Sequence, residues 1–305
     1  MLFSTPLFFA LYLSPSDAII NTDIYTERRI FMIIDINIDT VMRSGQVFSY
    51  DEFDGKYKVY SADKMCLAIP LEEDKNKTRV VCTPQDEDYW KHYFNADQGR
   101  RLEKEMMTSD NPFIIKCMEY STGMTMLNQD FWEMIVSFIV SQRNSIPAIR
   151  KILRGIRQTH GAYKAVVLDG QGYSYYAFPS AQQMKGFTIE DLQGLSLGYR
   201  DKYILDAIRW FNGNHSLWDK MTHDEKIKKL QEIRGVGPKV ANCIALFALN
   251  DLECFPVDVW IERLLNEKVV TEKDIAQYKH SAGYLNQIIY FYAIMHKDEF
   301  TKKEE

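Results

Sequence analysis

Two residues in the last third of the chain could do chemistry together, Lys239 and Asp258. Lys239 stands in "IRGVGPKVANC", Ile233 to Cys243, where a glycine-rich turn runs through Pro238 into an apolar helix. Proline is favoured at the first helical position, which places Lys239 in the first turn. That turn is the positive end of the helix dipole, so an ammonium group there is disfavoured, and partial burial would disfavour it further. A lysine that gives up its proton readily is a nucleophile, able to form a Schiff base with an aldehyde-level carbon such as a sugar C1′. Asp258, in "FPVDVW", could stabilise positive charge developing on such a carbon, or accept or orient the lysine proton. Plainer roles compete: Lys239 as a phosphate contact, and Asp258 as the N-cap of a helix starting at Val259. Capping uses one carboxylate oxygen and leaves the other free.

The elements that must position this pair can be read next. "HDEKIKKLQEIRGVGPKVANCIALFAL" predicts helix, tight turn, helix, with Gly235 ending the first helix in a left-handed conformation. Free N–H groups around Gly235 to Gly237, at the positive end of the second helix, suit a phosphate. The second helix, 238–249, runs about 18 Å at roughly 1.5 Å per residue. The stretch from Asn250 to Val257 extends at most roughly 26 to 29 Å, enough to return Asp258 to Lys239. Cys243 follows Lys239 by one helical turn on the same face.

Residues 32 to about 110 read as strands, with β-branched and aromatic residues in "QVFSYDEF", "KYKVYSADKMCLAIPLE" and "KTRVVCTP" separated by "FDGK" and "EEDKNK" turns. From about 128 the apolar period becomes helical, through "QDFWEMIVSFIVSQ" and "SIPAIRKILRGIRQTHG", with further helices expected near 188–194, 199–213, 223–232, 238–249, 259–266 and 272–295. The fold class expected is α+β: a small antiparallel N-terminal domain, 32–125, then a larger all-helical body, 126–305, with the helix–turn–helix at about 223–249. Residues 1–31 stand apart. Their apolar core has the length of a signal-peptide h-region, without a preceding Lys or Arg or a following A-x-A-like site, so a secretory signal competes with a dispensable extension and a working start at Met32. The closing "TKKEE" reads as a frayed tail.

With 305 residues and a formal net charge of -5, the chain can bury a sizeable core but is not a basic protein on average. Local charge matters more: Ser141 to His160 carries Arg143, Arg150, Lys151, Arg154 and Arg157 and no acid, a patch that could bind backbone phosphate or be a solvated helix face. The five cysteines are odd in number and lack close pairs, which argues against a disulfide framework or a zinc site and for a reducing compartment. After residue 31 no apolar run reaches the roughly 18 residues of a membrane span.

The hairpin with "FPVDVW" resembles the DNA glycosylase superfamily named for a helix-hairpin-helix, a Gly/Pro-rich loop and an aspartate. Lys239 matches its catalytic lysine and Asp258 its aspartate. No cysteine follows Cys254, which excludes the iron-sulfur branch. From about 40 to 295 the chain is similar to the 8-oxoguanine DNA glycosylase/AP lyases, whose motifs appear in order. "SGQVF" puts Gly45 where a glycine carbonyl accepts the N7 proton of the oxidised base. "DFWEMIVSFIVSQRNSIPAI" resembles the segment that fills the gap left by the flipped base, with Asn144 matched and Arg143 replacing an asparagine. "LSLGYRDKYI" makes Tyr199 a candidate wedge and Arg200 a contact to the orphaned cytosine.

Cys243 takes the place of a cysteine that packs one face of the base. "AGYLNQIIYFYAI" would supply the other face through Asn286 and Tyr290, replacing a glutamine and a phenylalanine; a one-residue shift would give Gln287 and Phe291 instead. Ala148 replaces a cytosine-reading arginine, and Trp260 a phosphate-contacting histidine. The resemblance implies a bifunctional, monomeric, intracellular enzyme of the cytoplasm or nucleoid, acting on double-stranded DNA that contains oxidised guanine. It implies no redox or organic cofactor and no catalytic metal, only a monovalent cation at hairpin carbonyls. A glycosylase for another damaged base, or a non-catalytic damage-binding protein, would be the alternatives.

Overall fold

The computed structural model describes residues 31–214 and 217–301, so the readings of 1–30 and of the last four residues lie outside it. Five antiparallel strands, β1 (Phe31–Ile34), β2 (Tyr50–Phe53), β3 (Lys56–Ser61), β4 (Lys64–Pro70) and β5 (Thr78–Val81), form one sheet in the order β1-β5-β4-β3-β2. A short helix α1 (Ile38–Arg43) follows β1, capped by Asn37, whose side chain accepts from the Thr40 N–H. The β2–β3 turn is Asp54-Gly55, both at positive φ, the geometry that an Asp-Gly pair adopts in two-residue hairpins. Ile36, Val41, Val59, Cys66, Trp90 and Phe94 are among the side chains of the core under this sheet.

Strand structure ends at Val81, well before residue 110. Helices α2 (Glu87–Phe94), α3 (Ala96–Met106) and α4 (Pro112–Tyr120) occupy the rest of that stretch. The alternation had in fact stopped at "KTRVVCTP"; α2 buries only Trp90, Tyr93 and Phe94, a helical spacing hidden by aromatic content that also suits strands.

The body is built on α5 (Phe131–Ser141), buried from Trp132 to Val140 and capped by Asp130, whose Oδ1 accepts from Glu133 N–H at 2.8 Å. Then come α6 (Ile146–His160), a hairpin β6 (Tyr163–Leu168) and β7 (Gln171–Tyr176), α7 (Arg200–Gly213), α8 (His223–Leu230), α9 (Pro238–Ala248), α10 (Val259–Asn266), α11 (Glu272–Gln277), α12 (Ala282–Met295) and α13 (Lys297–Thr301). The hairpin corrects the expectation of an all-helical body. Leu168, Val166, Tyr173 and Tyr175 pack against Tyr60, Met65, Leu67 and Val81 of the sheet, so it caps the N-terminal domain. The helix expected at 188–194 is one 3-10 turn, Glu190–Leu192, and the one expected at 272–295 breaks between α11 and α12. Gly283, just past the break, packs so closely that an added Cβ would lie 2.3 Å from a Leu246 methyl. Among the described residues no helix is long and apolar enough to cross a membrane.

The basic stretch on α6 has a different use from either expectation. Arg150 donates to Tyr50 O at 2.7 Å and lies over the Tyr50 ring, Arg154 pairs with Asp51, and Arg157 is buried over Tyr60. Three of the five cations therefore join α6 to β2 and β3, where the sheet presents carbonyls, a carboxylate and ring faces. Arg143 and Lys151 remain exposed.

Beneath this seam Glu133 is 2% exposed. It accepts from the Ser49 hydroxyl and from Ala62 N–H at 2.9 Å. Burial raises its carboxyl from 4.5 to about 7, against the opposing pull of Arg157. The folded state thus holds a proton that the unfolded chain releases, and this contribution to stability is full below about 4.5 and lost as pH rises through about 7. The melting temperature of the native protein relative to Glu133→Gln is expected to fall between pH 5 and pH 8; parallel curves would show that Glu133 does not titrate there.

Candidate functional site

Four separate parts of the chain line a cavity of ≈ 190 Å³: the loop after α1 (Gly45, Phe48), the end of α5 and its loop (Phe138, Ser141, Asn144), α9 with the strap behind it (Lys239, Cys243, Phe247, Pro256, Asp258), and α12 (Asn286, Gln287, Tyr290). On α9, Lys239, Cys243 and Phe247 fall at four-residue intervals, one stripe running from mouth to floor. Lys239 is exposed, contrary to the expectation of partial burial, because the first turn of α9 stands at the mouth. Cys243 is 3% exposed; burial pushes its thiol up, with Lys239 opposing and Asp258 reinforcing the shift.

The strap brings Asp258 back to the cavity, as its length allowed. Phe255 N–H donates to the Asn242 side chain at 3.3 Å, and Asn286 Nδ2 donates to Pro256 O at 3.0 Å, fixing the strap on both sides. Asp258 is the N-cap of α10: its Oδ1 accepts from the N–H groups of Trp260 and Ile261, each at 3.0 Å. Oδ2 accepts from neither of these N–H groups, so capping leaves one carboxylate oxygen for other work.

Gly45 has φ +81, and a Cβ there would lie 3.0 Å from Cε1 of Tyr290. Glycine is thus required both by the backbone conformation and by the ring against it. The neighbouring Gln46, fully buried, holds the loop: it donates to Ser44 Oγ and Thr125 O, each at 3.0 Å, and accepts from Leu127 N–H at 2.9 Å. No hydrogen bond to the Gly45 carbonyl occurs among the described residues. On α12, Asn286 and Tyr290 both line the cavity, as does Gln287, which donates to Ser44 O at 2.5 Å. Phe291 turns away into the core against Tyr120. Burial, then Asp258 and Cys243, push the Tyr290 hydroxyl up. Of the apolar walls Phe138 and Phe247, stacked 5.5 Å apart, the sequence placed Phe138 only on the apolar face of a helix, and it assigned no site role to Phe247 or to the brace Gln46; Phe247 was findable as the next step of the Lys239–Cys243 stripe.

The outer residues are placed less uniformly. Tyr199 is 47% exposed at the start of α7, as a wedge requires. Arg200 is not free to contact an orphaned base in this structure. Only 7% exposed, it donates to Gln142 O at 2.9 Å through Nε and to Leu197 O at 3.1 Å. The end of α5 leaves carbonyls without helical partners, and the guanidinium fork satisfies them. It thereby braces the loop on which Arg143, at φ 52, is exposed and Asn144 donates back to Val140 O at 2.8 Å.

In the α8–α9 turn, α8 ends at Leu230, so Gly235, at φ +84, closes a second turn rather than the helix itself. A Cβ on Gly235 would lie 2.4 Å from the Tyr203 ring. Val236 N–H already donates to Ile233 O at 3.0 Å, which leaves the N–H groups of Gly235 and the exposed Gly237 for an anion.

Comparison with known proteins agrees with this geometry. Residues 30–135 match the 8-oxoguanine DNA glycosylase N-terminal domain. A "Probable N-glycosylase/DNA lyase" of Methanothermobacter thermautotrophicus is 30% identical over 49% of this chain and 54% of its own length. The "N-glycosylase/DNA lyase" of Saccharomyces cerevisiae is 24% identical over 73% of this chain and 66% of its own. The chain thus spans between about half and two thirds of these relatives. The structure of a Clostridium acetobutylicum 8-oxoguanine glycosylase/lyase, in complex with double-stranded DNA containing cytosine opposite 8-oxoG, superposes with a TM-score of 0.76. It is 26% identical and covers 88% of this chain and 97% of its own.

Proposed function

We propose that this chain, which resembles the 8-oxoguanine DNA glycosylase/lyases in its N-terminal domain and its whole fold, is a bifunctional base-excision enzyme for 8-oxoguanine in double-stranded DNA. The observation that carries the reading is the one cavity in which the amine, thiol and carboxylate of α9 and its strap meet a glycine carbonyl from the loop after α1, which accepts no hydrogen bond among the described residues. A purine turned out of the duplex lies between Cys243 and Tyr290, with its N7–H toward the Gly45 carbonyl. Ordinary guanine would set an N7 lone pair against that carbonyl and leave two acceptors opposed. The neutral Lys239 amine attacks C1′, the C1′–N9 bond breaks with its electrons leaving on the base, and the base is protonated.

Asp258, through Oδ2, stabilises the positive charge on the sugar. Loss of the amine proton opens the sugar to a Schiff base; removal of a C2′ proton then expels the 3′-phosphate by β-elimination. Tyr199 and Arg143 face the DNA, Asn144 lies at the cavity edge, and Gly235 and Gly237 hold a backbone phosphate. A monovalent cation fits the same turn, where the carbonyls of Arg234, Gly235 and Val236 accept no hydrogen bond among the described residues; it would tie the turn to phosphate. The enzyme works as a monomer inside the cell, in the cytoplasm or nucleoid.

Borohydride trapping on a duplex containing 8-oxoguanine tests this reading, with an undamaged duplex and other lesions in competition. A covalent adduct specific to 8-oxoguanine is expected; binding without adduct or base release would leave only a damage-binding protein. Gly45→Ala gives a second check. A residue with a side chain at this φ costs about 1–2 kcal/mol, and the ring contact adds to it, so kcat/KM is expected to drop roughly tenfold or more. Unaltered excision would remove Gly45 from base recognition.

A further inference from the structure

Outside the cavity, His223, Asp251 and Cys254 bring one ligand atom each to within 4.8 Å of one another. His223 Nδ1 lies 3.3 Å from Asp251 Oδ2 and 3.8 Å from Cys254 Sγ. In tetrahedral zinc, bonds of about 2.0–2.3 Å place neighbouring ligand atoms about 3.3 to 3.8 Å apart. The two distances from His223 therefore already match edges of such a tetrahedron, and the third, within 4.8 Å, needs at most a small rotation of a side chain to close. We propose that His223, Asp251 and Cys254 form a site for zinc or a metal of similar preference, with water in the fourth position on the solvent side of His223.

The donor set decides the class of metal. An imidazole, a carboxylate and a thiolate suit zinc or cobalt rather than magnesium or calcium, which prefer oxygen alone. The local backbone keeps the right oxygen available. Asp251 Oδ1 accepts from Glu253 N–H at 3.3 Å, while Oδ2 faces the other two ligands. Cys254 is fully buried, Asp251 is 6% exposed, and the His223 side chain is partly open to solvent at 26%. Lys226 Nζ, 3.5 Å from Asp251 Oδ2, serves as the counter-ion of the carboxylate and can swing outward on its flexible stem. Metal binding breaks the S–H bond of Cys254 and releases that proton to solvent.

The place of the site gives it a consequence. His223 is the first residue of α8, whereas Asp251 and Cys254 belong to the strap, with Cys254 four residues ahead of Asp258. A bound metal would tie the helix–turn–helix to the segment that carries the carboxylate. The cysteine spacing gave no hint of this, because the ligands come from two segments and only one is a cysteine.

The full-length protein, stripped with a chelator, should be titrated with cobalt(II). One equivalent is expected to bind, with the visible bands of tetrahedral cobalt and a near-ultraviolet thiolate charge-transfer band, and zinc should displace it. Cys254→Ser should abolish the charge-transfer band, whereas Cys66→Ser should keep it. Should Cys254→Ser fail to fold by circular dichroism, His223→Gln, at a partly exposed helix start, should instead lose the tetrahedral visible bands. The site is overturned if native protein shows no saturable spectrum at one equivalent, or if the relevant band survives the substitution of its ligand.

Discussion

Lys239→Gln is expected to lose the borohydride-trapped adduct altogether and to slow base excision by roughly a million-fold, the scale seen when a covalent nucleophile is removed. The structure makes this a clean test of chemistry. Lys239 stands exposed at the mouth of the cavity in the first turn of α9, and glutamine there disturbs no packing. Melting temperature should stay close to that of the native protein, and binding to lesion DNA should weaken only by the worth of one exposed charge. The measurement is single-turnover excision together with trapping on the same 8-oxoguanine duplex. An adduct at native yield would assign the Schiff base to another amine and leave Lys239 as a phosphate contact.

Asp258 needs a pair of substitutions, because its two oxygens have different tasks. Oδ1 accepts from Trp260 and Ile261 N–H groups and starts α10; Oδ2 carries the proposed charge effect. Asparagine caps a helix about as well as aspartate, so Asp258→Asn should melt with the native protein, whereas Asp258→Ala should lose about 1 kcal/mol. Both should slow excision by roughly 100- to 1000-fold, the scale for removing one preorganised electrostatic group from a transition state. Equal stability with lost activity in the asparagine variant would separate charge from cap. Native activity in that variant would make Asp258 a cap only.

Much of the site was legible along the chain because its logic is local. The proline that starts α9, the one-turn spacing of Lys239 and Cys243, the reach of the strap and the capping aspartate are all matters of helical geometry and contour length, which residue order sets directly. The antiparallel sheet was legible as far as Val81 for the same reason: alternation and an Asp-Gly turn act between neighbours. Less was legible where one residue type suits two structures. The aromatic residues of α2 serve a strand as well as a helix, and the exposed hairpin β6–β7 takes its stability from the sheet it covers.

The long cations mark the boundary most clearly. Residue order alone located Arg200, Arg150, Arg154 and Arg157 on helices and suggested DNA for them. The tertiary structure turned Arg200 to the carbonyls closing α5 and the other three to the sheet. A guanidinium on a flexible stem goes where buried acceptors and ring faces lack partners, and only the packed chain determines where those are. The same holds for His223, Asp251 and Cys254, and for Gln46 beneath Gly45. None is assigned such a role from sequence, and each acquires one because folding removes water from its surroundings and leaves protein atoms as the available partners.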